Sequence, residues 1–284
     1  MGKAKEARLT QLNTVVYCQN NAESKYGHGI GIAYFLGAKN YLVTGATGFV
    51  GKVFIKMLRI ASNAGQIFVL VIRAKDKEAA LNSLKTENKL AAMPGDVCES
   101  DLGMDALTAS EIADKVHVIV NSAANSNFDE RYDVAPSVNA KGPSNLLSFV
   151  KTCKKIYLSL HVSTAYVNGE SEGVIEEPSL SMEEIIIPGK KASLPRLDIN
   201  DEMKLAANLK ESVNDKEAAH QQMKVLGVQR AKIHGWPNTY SFTKAMGEML
   251  ITGMKGDIPT VILRPSVIKG TYKEPFPGWI EGKR

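Results

Sequence analysis

Short apolar runs rich in β-branched and aromatic residues punctuate this chain at Tyr41–Thr44, Ile67–Ile72, Val116–Val120, Ile156–Val162 and Thr260–Leu263. A sixth, less apolar segment, Lys89–Asp96, ends in a Gly-Asp turn. Runs of this length with little alternation are the pattern of strands buried on both faces of a parallel sheet. Longer stretches with helical spacing lie between them. Val50, Val53, Phe54, Met57 and Leu58 recur behind the first run, with Lys52 and Lys56 between, and predict a helix packed on those five residues. Val134–Lys154 predicts another, and Tyr240 through Met246, Met249 and Leu250 a third. Strand and helix alternate, so the fold class is α/β with a parallel sheet. Two regions depart from this. Residues 1–36 are polar and weakly patterned, an N-terminal extension whose Gly29–Leu36 leads into the first strand. Residues 170–235 are polar too, and Asn200–Ser212 and Asp215–His234 predict a helical insertion lying over the sheet.

The first strand meets its helix at Thr44-Gly45-Ala46-Thr47-Gly48-Phe49-Val50-Gly51. A helix N-terminus presents unpaired backbone N–H groups and a partial positive charge. Glycines in front of it let a pyrophosphate approach that backbone closely. The spacing is G-x-x-G-x-x-G rather than G-x-G-x-x-G. A tight strand–helix turn without a ligand has the same sequence, but the strand–turn–helix context favours the phosphate cradle.

Composition narrows the picture modestly. The 284 residues are 44% hydrophobic and 23% charged, which suits a globular protein with a sizeable core. A net charge of +5 without aromatic-interleaved basic clusters does not suggest a nucleic-acid protein. No stretch approaches the roughly 20 apolar residues of a transmembrane helix. Cys18, Cys98 and Cys153 form no C-x-x-C pair, and the five histidines no H-x-x-x-H pair, so neither a metal site nor a disulfide framework is expected. No apolar leader core marks a secretory signal, and nothing in the pattern specifies an oligomeric state.

Candidate chemistry collects at the ends of the apolar runs. Arg73 follows the second, where an acidic residue grips the ribose of NAD; a cation there suits a 2′-phosphate, hence NADPH, whereas Asp76, three positions on, could take the ribose instead and a solvated basic loop would read the same way. Asp96 either accepts a bond from an adenine amine or caps its turn. Ser122, Ala123 and Ala124 let a flat ring lie against the strand end, or serve helix–strand packing. Ser163 and Thr164 bring hydroxyls to the carboxyl end of a parallel strand. Tyr240 and Lys244, four apart, share one helix face. A phenol has an ordinary pKa near 10, and an ammonium one turn away stabilises its phenolate. A hydroxyl such as Thr164 holding a carbonyl beside that phenol completes a site for hydride delivery.

In this order the glycine turn, Ser163-Thr164-Ala165-Tyr166-Val167 and Tyr240-to-Lys244 resemble an extended short-chain dehydrogenase/reductase. Asn127–Asp133, His234–Tyr240, Phe242–Glu248 and Pro275–Trp279 are similar to hallmarks of the alcohol-forming fatty acyl-CoA reductases of the plant male-sterility type. The resemblance implies a Rossmann-type doubly wound parallel sheet over residues 37–284, with the 170–235 insertion before the Tyr-x-x-x-Lys helix. It implies reduction of a fatty acyl thioester, on coenzyme A or acyl carrier protein, with NADPH through the aldehyde to a primary fatty alcohol. Tyr240 is then the general acid, Lys244 its partner and Thr164 the carbonyl-orienting hydroxyl, with Ser163 as a substitute. Thr44, Gly45, Thr47, Gly48, Phe49, Val50 and Gly51 hold the dinucleotide's phosphates. Arg73, Asp96, Val97, Ser122, Ala123 and Ala124 line the adenosine half. Asn139, in a proton relay, and Pro265, Ser266 and Val267 line the nicotinamide half. Plastid location is likewise implied. The sequence departs from the family between Leu84–Glu87 and the Asp96 turn, where members carry a further helical segment and only about eight residues stand here, and at Arg284, ahead of the family's C-terminal domain. Two other readings share the motifs: a reductase or epimerase acting on another substrate, such as a nucleotide sugar, and a non-catalytic dinucleotide-binding fragment.

Overall fold

All six anticipated runs become strands of one parallel sheet. β1 (Tyr41–Thr44), β2 (Ile67–Val71), β3 (Leu90–Pro94), β4 (Val118–Asn121), β5 (Leu158–Val162) and β6 (Thr260–Leu263) lie in the order β3-β2-β1-β4-β5-β6. This computed structural model describes residues 35–60, 64–71, 90–169, 171, 173–175, 177, 179–180, 182, 196–213, 215–273 and 276–280. The register sets Thr44 beside Asn121 and Asn121 beside His161. Strand order reverses between β1 and β4, so their carboxyl ends open the crevice in which such sheets take ligands.

Side chains alternate across the sheet. Leu42, Leu70 and Ile119 enter one apolar layer, Tyr41, Val43, Val69, Val118 and Val120 the other. The second layer is covered by α1 (Phe49–Ile60). Its buried residues are Gly51, Ile55 and Leu58; of the predicted five, Leu58 is buried, Val50, Val53 and Phe54 are half-buried with Phe54 packed on this layer, and Met57 is exposed. The reason lies at the turn. A Cβ on Gly51 would come within 2.3 Å of the Gly45 carbonyl, so this face of the helix is pressed onto β1 and fixes which residues follow it inward.

The first layer is covered by α2 (Ala106–Lys115), α3 (Gly142–Thr152) and α6 (Thr239–Met254), through Ile112, Leu146, Leu147 and Ile251. The hydrophobic pattern had not revealed α2, because Ile112 and Ala113 are its only buried residues; its signal is the cap, where Asp105 accepts from the Thr108 amide at 3.0 Å. The helix predicted over Val134–Lys154 forms, with a π turn at Ser137–Lys141 ahead of α3.

The insertion contributes α4 (Ile199–Ser212) and α5 (Lys216–Ile233), capped by Asp198 and Asp215. Ile199, Ala206, Met223 and Ala231 pack with Trp236, Phe242 and Met246 on the side of α6 away from α3. A buried carboxylate locks this contact. Glu202 accepts from Tyr132 Oη at 2.7 Å and Arg230 Nε at 2.9 Å and meets His234 Nε2 at 3.3 Å. Burial alone would raise its pKa, but hydrogen bonds with His234, Arg230 and Tyr132 outweigh that and hold it at about 2. Among the described residues, no helix is long and apolar enough to cross a membrane.

Candidate active site

α6 starts cleanly because Asn238 accepts from the Ser241 amide at 2.8 Å. Tyr240 is half-buried in its first turn, and its ring meets the exposed Phe128 edge-on at 5.8 Å. Lys244, one turn on, is 1% exposed. Its Nζ donates to the Val162 carbonyl at 2.8 Å and lies 3.4 Å from His161 Nε2. Burial pushes the Lys244 amine down to about 8, against the opposing charge of Glu248 one further turn along. Glu248 is itself fully buried and bound to Arg264, with Nη2–Oε2 at 2.6 Å and Nε–Oε1 at 3.1 Å. That ion pair anchors the segment after β6 to α6.

Val162 stands two residues before Thr164, so the Lys244 bond carries α6 to the strand end that bears the candidate hydroxyls. Thr164, 4% exposed, accepts from the Tyr166 amide at 3.3 Å, which leaves its hydroxyl hydrogen to donate. Ser163 Oγ is buried with no hydrogen-bond partner. The Ala165 amide donates to the Pro265 carbonyl at 2.9 Å, setting Pro265 beside the same strand end, with Ser266 and Val267 exposed beyond it.

On the other side of the crevice the glycine turn is tied to β4. Thr44 Oγ1 donates to Asn121 Oδ1 at 2.7 Å, and Ser122 Oγ donates to the Thr44 carbonyl at 2.7 Å. Gly45 has φ +69°, and a Cβ there would lie 2.5 Å from both Ser122 C and Ala123 N. Ala123 is therefore a packing residue, while Ala124 is exposed. Thr47 and Gly48 face outward, Phe49 and Val50 are half-buried, and a Cβ on Gly48 would meet only the Gly45 carbonyl, at 3.3 Å. The turn is thus open on one side, in front of the first amides of α1, and fits a pyrophosphate. Trp279 returns to this place, its ring 5.3 Å from that of Phe49.

Other predicted positions fall elsewhere. Asp96 accepts from the Cys98 amide at 2.8 Å, the turn-capping role. Val97 is buried in the core beside Gly142, so its side chain does not line the crevice. Asn139 sits in the π turn with its side chain engaged: it accepts from the Asn125 amide at 2.9 Å and donates to the Asn125 carbonyl at 2.9 Å and to Thr243 Oγ1 at 3.0 Å. It clamps the chain leaving β4 against α6. Burial pushes the thiols of Cys98 and Cys153 up to about 12, so neither is a ready nucleophile. Arg73 lies outside the described residues.

Sequence reasoning passed over Asn121 and His161. Both are polar residues inside apolar strands, side by side across the β4–β5 pairing, and that placement is their only signal. Asn121 Nδ2 is 3.1 Å from His161 Nδ1, so a polar chain runs Thr44–Asn121–His161–Lys244 beneath the crevice.

Residues 43–284 match the family described as male sterility protein. Fatty acyl-CoA reductase 2, chloroplastic, of Arabidopsis thaliana is 46% identical over 282 residues, 90% of this chain and 46% of that protein. The alcohol-forming fatty acyl-CoA reductase of Simmondsia chinensis is 40% identical over 285 residues, 89% of this chain and 56% of that protein. The chain spans about half the length of these curated relatives. Among solved structures, the terminal R domain of the myxalamid PKS-NRPS biosynthetic pathway shares the fold, with a TM-score of 0.53 at 19% identity over 84% of this chain and 51% of that one. The family match takes in the glycine turn, the Thr164 strand end and the Tyr240–Lys244 helix together, and this chain belongs to the male sterility protein family.

Proposed function

We propose that this chain carries the reductase site of an NADPH-dependent fatty acyl thioester reductase, which takes acyl-CoA or acyl carrier protein substrates through the aldehyde to a primary alcohol. The observation that carries the reading is the buried Lys244, bonded at the end of β5 two residues before Thr164 and one turn from Tyr240. The names of the two plant relatives support the thioester substrate and the alcohol product, and the chloroplastic relative supports a plastid location. Arg73, after β2, favours a 2′-phosphate over a bare ribose.

The glycine turn and the N-terminus of α1 would hold the pyrophosphate, with Ser122–Ala124 and Pro265–Val267 along the crevice. A dinucleotide held there would supply one hydride to the thioester carbonyl carbon, the thiol would leave as the resulting thiohemiacetal collapses to the aldehyde, and a second NADPH would supply the hydride that takes the aldehyde to the alcohol. Thr164 Oγ1 donates a hydrogen bond to the carbonyl oxygen and orients it. Tyr240 Oη gives its proton to that oxygen as negative charge develops, and the Lys244 ammonium lowers the cost of the phenolate left behind. Nothing in the scheme requires an acyl-cysteine.

The test is direct. Purified chain is incubated with NADPH and long-chain acyl-CoA or acyl carrier protein, and lipid products are identified by mass spectrometry. Alcohol is expected, falling about 10²- to 10⁴-fold in Tyr240→Phe while NADPH binding persists. Binding of NADPH without turnover of any thioester by the unaltered chain overturns the reading.

A further inference from the structure

Lys244 is enclosed by groups of two kinds. On its own helix, Tyr240 lies one turn back and Glu248 one turn on, and Glu248 is committed to Arg264. From β5 come the neutral Val162 carbonyl and the imidazole of His161, 2% exposed. His161 is held neutral, because burial and the neighbouring Lys244 charge both drive its pKa well below the ordinary 6.5. A neutral imidazole has one donor and one acceptor nitrogen. Here its two nitrogens face two groups that both carry N–H, Asn121 Nδ2 at 3.1 Å and Lys244 Nζ at 3.4 Å.

Two hydrogen-bond patterns satisfy this geometry. In the first, Thr44 Oγ1–H donates to Asn121 Oδ1, Asn121 Nδ2–H donates to His161 Nδ1, and His161 Nε2–H donates to Lys244 as a neutral amine. In the second, the Lys244 ammonium donates to His161 Nε2 and His161 Nδ1–H donates to an Asn121 amide turned over. That amide's N–H then donates to Thr44 Oγ1, which also accepts from the Ala123 amide at 3.3 Å, so the Thr44 hydroxyl hydrogen gives up its bond to Asn121 in this pattern. Only the Asn121 amide turns, its Oδ1 and Nδ2 exchanging places, and every bond in the chain changes direction. We propose that His161 is a positioning residue for Lys244: its tautomer switches with the lysine's protonation, so that Lys244 keeps a hydrogen bond on this side in both states. The lysine can then cede a proton toward the Tyr240 phenolate and regain one while both imidazole nitrogens and the amine stay paired with each other and with Asn121. This role rests on the reading of Tyr240 and Lys244 as the acid–base pair.

Two measurements test it. The first is the pH profile of kcat. A Gln end group at position 161 reaches the place of Nε2 and, by turning its amide, both donates and accepts; an Asn end group reaches only the place of Nδ1. His161→Gln is therefore expected to keep the alkaline limb where it stands in the unaltered protein. His161→Asn and His161→Leu remove the acceptor that supports the buried ammonium, and the limb moves down by about one pH unit or more. An unmoved limb in His161→Leu, with dinucleotide binding retained, overturns the proposal; so does the same displaced limb in the Gln and Leu variants. The second measurement needs no turnover. Nitrogen-15 NMR of histidine-labelled protein is expected to show His161 neutral throughout the range in which Lys244 titrates, with its tautomer changing as Lys244 titrates and fixed in Lys244→Met. An imidazolium in that range, or one tautomer across the whole range in unaltered protein, overturns it. If no thioester is reduced at all, the proposed function fails while the NMR result still decides the role of His161.

Discussion

Gly45→Ala and Gly48→Ala separate what the glycine turn does for the fold from what it does for a ligand. At Gly45 the backbone is left-handed, φ +69°, which costs an alanine about 1–2 kcal/mol. The new methyl would also stand 2.5 Å from Ser122 C and Ala123 N, about 1 Å inside the ordinary carbon contact of roughly 3.5 Å. Both neighbours are backbone, so no rotamer relieves the overlap. The ends of β1 and β4 must part instead, which loosens the 2.7 Å bonds from Thr44 to Asn121 and from Ser122 to Thr44, worth about 1 kcal/mol each. Gly45→Ala is therefore expected to lose about 3–5 kcal/mol of unfolding free energy. At Gly48 the only clash is with one carbonyl at 3.3 Å and the backbone is not left-handed, so the loss stays below about 1 kcal/mol. Its methyl does occupy the open side of the turn, and dinucleotide affinity is expected to fall at least tenfold. Urea unfolding measures the first quantity, titration calorimetry with NADPH the second. A Gly45→Ala protein within about 0.5 kcal/mol of the unaltered one refutes the steric argument. Full NADPH affinity in Gly48→Ala refutes the assignment of the turn.

Two further outcomes follow from the buried charges. Glu248→Leu takes the carboxylate from a buried guanidinium and is expected to cost about 3–5 kcal/mol in urea unfolding, much of it recovered when Arg264→Leu is added; a double variant no more stable than the single one contradicts this. For Lys244, the ordinary pKa of 10.5 falls to about 8 on folding, a difference of about 3 kcal/mol by linkage. Below pH 8 folded and unfolded chains both hold the proton and the burial cost is fully present; between about pH 8 and 10.5 the unfolded chain holds more protons, so this group makes stability rise with pH. The stability of the unaltered protein relative to Lys244→Met is expected to gain about 2 kcal/mol between pH 7.5 and 9.5, and a constant difference would show that the lysine is not desolvated as its burial indicates.

The sheet was legible because its signal is local. Each buried strand is an apolar run, and the run needs no knowledge of its neighbours. The same holds for the glycine turn and for the Tyr240–Lys244 spacing on one helix face. What escaped was set by contacts between distant segments. The stripe of α1 was misjudged because Gly51, with no side chain, contributes nothing to a hydrophobic pattern, yet its closeness to Gly45 orients the helix. α2 escaped because it rests on the sheet through very few residues. The relay role of Asn139 comes from the family resemblance alone; its three hydrogen bonds, to Asn125 and Thr243 at 14 and 104 positions away, have no local signal in the sequence. His161 escaped because a single histidine in an apolar strand is most simply a core residue; only strand register sets Asn121 beside it, and only the packing of α6 on β5 brings Lys244 to it.

The placement of charge around Lys244 explains why a neutral chain serves it. Glu248, one turn away, is the obvious counter-ion for a buried ammonium, and a direct pair would hold the lysine permanently charged. Arg264 occupies both oxygens of that carboxylate instead. A guanidinium stays protonated at any accessible pH and matches a carboxylate in two bonds, so the lysine does not displace it. Lys244 is left with a carbonyl and an imidazole, partners that stabilise an ammonium only partly against burial, and its proton becomes labile near neutral pH. The ion pair thus does two things at once. It fastens the Pro265 segment beside the Thr164 strand end, and it withholds from Lys244 the one group that would keep it from titrating.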